Sequence, residues 1–210
     1  MSRPDPDILE RAHAGDREAI GALLEPELGR VYATCRRMVG NHDDAAELAQ
    51  DALVRAIRGI ESYDGRSAFS TWLTRVTINT CLSWHRRQGR RAGKTPVAIE
   101  NPDVFPDQRE SGRRLEPGGV DGVQEGSGDA VGGTDRRSRV EIALERIKPE
   151  HRAVLVLRDI RELDYEAIGA ALDLPLGTVK SRISRARRAL RQEMESLAAP
   201  PTGAEASPSE

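Results

Sequence analysis

A chain of 210 residues has room for one or two domains with a real core, and 3% aromatic against 31% charged residues favours helix over sheet. The formal net charge of −2 would disfavour a nucleic-acid binder if charge were evenly spread, but Gly65 to Ile99 holds seven basic residues and no acid, while Glu100 to Asp135 holds nine acids and three arginines. Local charge sets the field a phosphate backbone meets, so the basic stretch keeps nucleic acid open as a partner.

In chain order, Ile8, Leu9 and Ala12 mark a short helix ending near Gly15. Ala19, Ile20, Leu23 and Leu24 mark a second, stopped near Pro26. Leu28, Val31, Tyr32, Cys35, Met38 and Val39 predict a longer amphipathic helix with Gly40-Asn41 as its stop. Asp43 or Asp44 is the expected cap of the next, in which Ala45, Leu48, Ala52 and Ala56 share a face. Its acids lie early and Arg55 and Arg58 late, as the helix dipole prefers. Residues 62–67 form a turn, and a long helix is predicted from about Ala68 to Arg87, with Phe69, Trp72, Leu73, Val76 and Thr80 inward. Trp72, Arg75, Asn79 and Arg86 lie along one neighbouring edge, offering an aromatic, an amide and two guanidiniums, a combination suited to single-stranded DNA.

From Gly93 to about Arg137 periodicity vanishes into Gly, Pro, Asp and Glu, the composition of a flexible acidic linker. Val140, Ala143, Leu144 and Ile147 resume a helical pattern, and Pro149 opens another with Val154, Leu155 and Leu157. Asp164 is a good N-cap flanked by Leu163 and Ile168 at the spacing of a hydrophobic staple. The helix that follows turns at Asp173-Leu174-Pro175, where Pro175 suits the first turn of a new helix. In that new helix Val179, Ile183, Ala186, Leu190 and Met194 make a buried stripe. Ser181, Ser184, Arg185 and Arg188 point away from it, with Lys180, Arg187 and Arg191 on one flank. A short helix, a corner and a basic helix is the helix-turn-helix plan, whose second helix enters a major groove. The tail from 198 to 210 is expected to be disordered.

Cys35 and Cys81 fall inside apolar helical patterns and are expected to be small buried hydrophobes in a reducing cytoplasm. His13, His42, His85 and His151 lack ligand spacing, so neither a metal site nor a cofactor is expected. No apolar run has membrane length, and the expectation is a cytoplasmic protein without membrane insertion. The acids Asp43, Asp44, Glu47 and Asp51 come without a phosphate-cradling loop or a nucleophile, so they read as caps and a protein-contact surface rather than an enzyme's site.

Two blocks carry a family resemblance. AGDREAI, DDAAELAQDALVRA and GRSAFSTWLTRVTIN in the first half resemble region two, and KPEHRAVLVLRDIRELDYEAIGAALDLPLGTVKSRISRARRAL in the second resembles region four, of bacterial RNA polymerase sigma factors of the small extracytoplasmic-function (ECF) type. The departures are Ile57, where the family often has tryptophan, and Glu162 and Asp173, where it often has glycine.

The resemblance implies an all-α protein of two small helical domains, residues 1–92 and 138–197, joined by a long disordered linker over 93–137. It implies no covalent chemistry, but docking on core RNA polymerase (its beta and beta-prime subunits), promoter DNA as ligand, and an anti-sigma factor as a further partner. Asp44, Glu47, Leu48, Gln50 and Asp51 would face polymerase, with Leu48 expected as a partly exposed apolar anchor. Tyr63, Phe69, Trp72, Arg75, Asn79 and Arg86 would hold the melted −10 strand, a flipped base lodging between Tyr63 and Asn79. Thr178, Lys180, Ser181, Arg182, Ser184, Arg185 and Arg188 would meet the −35 element. A stand-alone helix-turn-helix regulator explains only residues 138 to 197, and a nuclease built on Asp43, Asp44 and Glu47 ranks behind it.

Overall fold

The computed structural model describes residues 4–91 and 131–198, and every regular element among them is helical. Helices α1 (Pro6–His13) and α2 (Arg17–Leu24) pack together. Asp5 and Asp16 cap them, each side chain accepting from the backbone N–H two residues on. Helices α3 (Leu28–Val39), α4 (His42–Arg58) and α5 (Phe69–Arg91) pack mutually as the body of the first domain.

The reason they close tightly lies in α4, whose inward face is Ala45, Ala49, Ala52 and Ala56, small residues that admit close neighbours. Leu48 is the one large side chain fully buried on that face, and it belongs to the same core cluster as Val31, Cys35 and Met38 of α3 and the inner residues of α5. The cap of α4 is Asn41 rather than Asp43 or Asp44. Its Oδ1 accepts from the Asp44 N–H at 2.8 Å, and the two aspartates occupy the first turn instead. Gly40 has φ +87°, which favours glycine, and a Cβ there would collide with the Glu145 side chain.

The second domain is α6 (Val131–Arg146), α7 (Pro149–Leu155), α8 (Tyr165–Leu172) and α9 (Leu176–Ala198). Helix α6 starts at Val131, so residues 131–137, expected as linker, are helical. The remainder of the expected linker and the tail from 199 lie outside the described residues. A π-helical turn, Val156–Ile160, finishes α7, and Glu162 follows with φ 55°.

The two domains touch. Helix α3 meets α6 and α7, α5 meets α7 and α8, and the buried residues of both halves are contiguous. Cys35 and Cys81 are fully buried with their sulfurs 3.8 Å apart, and the contact between them together with burial pushes the Cys81 thiol well above its ordinary value.

Candidate nucleic-acid interface

The corner between α8 and α9 is built from backbone requirements. Asp164 caps α8 by accepting from the Ala167 N–H at 2.6 Å. Asp173 ends it in the left-handed region (φ 53°, ψ 54°), a conformation aspartate tolerates better than most side chains. The Leu174 N–H then returns to the Gly169 carbonyl at 2.9 Å. A Cβ on Gly169 would lie 2.8 Å from the Leu174 oxygen, so only glycine lets the corner fold back this closely. Pro175 stands just before α9 rather than inside it, its carbonyl accepting from Thr178 and Val179 N–H groups.

Entry into α8 is held by Arg158, which donates to the Leu163 carbonyl at 2.9 Å and lies 5.0 Å over the Tyr165 ring. Val179, Ile183 and Ala186 bury one stripe of α9, while Leu190 and Met194 are half-buried toward its end. That fixes the opposite face outward: Lys180, Ser184, Arg185 and Arg188 are exposed, and Thr178, Ser181 and Arg182 are partly so. The Ser181 hydroxyl donates to the Thr178 carbonyl at 3.1 Å, so a ligand must compete with that bond. Arg187 is drawn aside by Asp159 at 2.6 Å. His151 on α7 joins this basic surface, and its pKa is lowered by burial, then by Lys148, Arg182 and Arg185. Spacing alone did not reveal His151, because its neighbours come from another helix.

The edge of α5 is only partly as expected. Asn79 is exposed, and Arg75, Arg86 and Trp72 are half-buried, with Arg86 donating to the Ser83 hydroxyl at 2.8 Å. Tyr63 and Phe69 do not offer a free stacking face. Tyr63 is 1% exposed, donates its hydroxyl to the Ser67 carbonyl at 2.7 Å, and packs its ring on Phe69 and Trp72 at 5.3 and 5.6 Å between centroids. The cause is local: the 62–67 loop turns back over the start of α5, and its one large apolar residue closes the core there. Of the three clustered rings only Trp72 keeps exposed surface.

The outward face of α4 also departs from expectation. Glu47, Gln50 and Asp51 are exposed and Asp44 is partly so, but Leu48 is 1% exposed and belongs to the core. The helical register explains this: Leu48 falls one turn after Ala45 and one turn before Ala52, on the buried side. The exposed apolar side chains of α4 are Val54 and Ile57, 44% exposed each, one turn beyond the acidic group. Asp43, Asp44 and Glu47 do not converge. Among the described residues no group of three or more His, Cys, Asp or Glu is placed to hold a metal ion. Nor is any described helix long and apolar enough to cross a membrane.

Residues 23–91 match the family described as Sigma-70 region 2, and residues 143–192 match Sigma-70, region 4. The chain is 31% identical over 193 residues to the ECF RNA polymerase sigma factor SigW of Bacillus subtilis, spanning 90% of this chain and 96% of the relative. It is also 31% identical over 193 residues to the ECF RNA polymerase sigma-E factor of Escherichia coli, spanning 92% and 95%. Its fold is similar to that of the sigma factor RpoE, solved with the anti-sigma factor NepR from Bartonella quintana (TM-score 0.56, 26% identity, 82% of this chain and 94% of that one). CnrH, solved with the cytosolic domain of CnrY, shares the fold at 20% identity (TM-score 0.57, covering 90% and 96%). Both regions match in the order the residues suggested, and relatives align along nearly the whole chain: the protein belongs to the ECF family of RNA polymerase sigma factors.

Proposed function

We propose that this chain binds core RNA polymerase in the cytoplasm and directs initiation at particular promoters, with α9 reading the −35 duplex and the α5 edge holding the melted −10 strand. The observation that carries the proposal is the outward face of α9, where exposed Lys180, Ser184, Arg185 and Arg188 stand opposite a fully buried stripe. A helix held by one face and basic on the other can enter a major groove without disturbing its own core. Arg185 suits a guanine edge, while Lys180 and Arg188 suit phosphates and add affinity without sequence information.

At the −10 strand, Trp72 supplies the stacking surface and Asn79 a donor and an acceptor for a base edge, with Arg75 and Arg86 for flanking phosphates. Tyr63 and Phe69 act from beneath, by holding the Trp72 ring. Docking on polymerase uses the outward face of α4: Asp44, Glu47, Gln50 and Asp51 form a polar rim, and Val54 and Ile57 are its apolar centre in place of Leu48. An anti-sigma factor is a natural partner for such a chain, since RpoE was solved in complex with one.

A stand-alone regulator would leave residues 4–91, with this α4 face and α5 edge, without a role. Run-off transcription with purified core polymerase tests the proposal. Promoter-specific transcripts that depend on this chain are expected. Sequence-specific duplex binding with no stimulation of core polymerase would instead make it a regulator.

A further inference from the structure

Cys35 of α3 and Cys81 of α5 are both 0% exposed, and the Cys81 thiol donates to the Cys35 sulfur across 3.8 Å. They are the only cysteines of the chain. A buried thiol ordinarily packs as a small hydrophobe against apolar carbon. Here each sulfur also meets the other, from helices that the sequence separates by 46 positions. The seam around them is made of small side chains. Thr34 and Thr77 line the same groove between α3 and α5, and both are buried with their hydroxyls turned back on the carbonyls of Arg30 and Leu73 in their own helices. At 3.8 Å nothing can stand between the two sulfurs. A disulfide needs them about 2.0 Å apart, so closing the pair takes an approach of roughly 1.8 Å, shared between two side-chain rotations and a slight drawing together of the helices.

Closed, the pair is inert. The contact with Cys35, then burial, keeps the proton on Cys81, and no oxidant reaches a fully buried sulfur. Reaction therefore needs a moment in which α5 parts from α3, during folding or by local opening. In that moment one thiolate attacks hydrogen peroxide: an S–O bond forms, the O–O bond breaks and hydroxide leaves. The other thiol then attacks the sulfenic sulfur, forming the S–S bond and releasing water. In balance, the two thiols give up two electrons and two protons, and the peroxide becomes two waters. When the helices close again the disulfide is as buried as the thiols were, so a thiol reductant reaches it only through the same opening.

We propose that Cys35 and Cys81 are a redox-sensitive staple: hydrogen peroxide converts the touching thiols into a disulfide between α3 and α5, which then holds the first domain closed. The loop it ties off contains all of α4 and the first half of α5, so it removes freedom from the unfolded chain over the segment that carries the proposed polymerase-facing helix. An oxidised chain opens less often than a reduced one and is degraded more slowly for that reason.

The test uses the full chain, reduced and then exposed to hydrogen peroxide with and without a sub-denaturing concentration of urea. Samples are denatured and alkylated, and the intact mass is read. The stapled chain takes up no alkyl group and is lighter by two hydrogens than the reduced chain, and peptide mapping joins Cys35 to Cys81. Urea should speed the conversion by at least about tenfold, because it populates the open form. The oxidised chain is expected to melt roughly 10 °C or more above the reduced chain, and dithiothreitol admitted by urea should remove that rise. The Cys35→Ala/Cys81→Ala double variant should show no rise, and reversal by dithiothreitol gives the same control on the wild-type chain. Free thiols after peroxide, higher sulfur oxides without a linked peptide, or linkage only between two chains overturns the staple. So does a linked chain that melts no higher than the reduced one, or a rise that dithiothreitol leaves in place. Equal rates with and without urea overturn the gating by opening.

Discussion

The outward face of α4 yields a double dissociation between folding and docking. Leu48 is 1% exposed and part of the core cluster, whereas Ile57 is 44% exposed on the same helix. Leu48→Ala removes three buried carbons, worth about 2.4 kcal/mol in transfer at ~0.8 kcal/mol each, and leaves a cavity that the alanine-lined seam has little material to fill. The expected total is about 3–4 kcal/mol, or roughly 12–30 °C in the melting of a domain this size. Leu48→Arg would place an unpaired charge in the same space and unfold the first domain outright. Ile57→Arg, by contrast, is expected to change stability by no more than about 0.5 kcal/mol. The same variant should weaken the complex with core polymerase by at least about tenfold, as loss of an apolar interface centre does. Urea denaturation and competition for core polymerase against a labelled reference sigma factor measure the two effects separately. A folded, stable Leu48→Ala variant that has lost polymerase binding would refute this assignment of the helix faces, as would Ile57→Arg at wild-type competitive strength.

Arg185→Ala should cost about 1–3 kcal/mol of discrimination among −35 variants; an unchanged ranking and strength of promoters differing only there would remove Arg185 from base reading. Glu162 is held at φ 55°, so Glu162→Gly relieves left-handed strain and, after glycine's own entropy cost, should stabilise the chain by about 0.5–1 kcal/mol in urea melts; a destabilised variant would show that the side chain holds the loop. Burial, with a smaller contribution from Arg152, holds the pKa of His85 below its ordinary value, although its bond to the Met38 carbonyl acts the other way. The unfolded chain therefore binds more protons between that lowered value and about 6.5, and stability should fall as pH drops from about 7 through this window, levelling below it. His151 contributes with the same sign, so the difference between wild type and His85→Gln, which keeps a donor for Met38, isolates His85; identical pH profiles would show that His85 does not titrate differently on folding.

Periodicity and capping chemistry determined most of the helices and which stripe of α9 is buried, because these depend on neighbours three and four residues away, but they missed the first turns of α6 at 131–137 and the Asn41 cap of α4. Asp164 as a cap and Asp173 as a left-handed stop were legible for the same reason: each acts on backbone within its own turn. The corner's dependence on Gly169 was not, since it follows from the return of Leu174 toward α8. What a helix face meets is decided by other helices. Leu48 shares the register of Ala45 and Ala52, while the outward position of Val54 and Ile57 is decided by where α3 and α5 approach. Tyr63 read as an exposed loop aromatic, yet the loop folds over α5 and buries it. The contact between the domains, where Arg152 donates to the Met38 carbonyl and Arg161 to the Thr74 hydroxyl, joins residues 87 to 114 positions apart. No local pattern marks it, because an arginine in an amphipathic sequence looks the same whether it faces water or another domain.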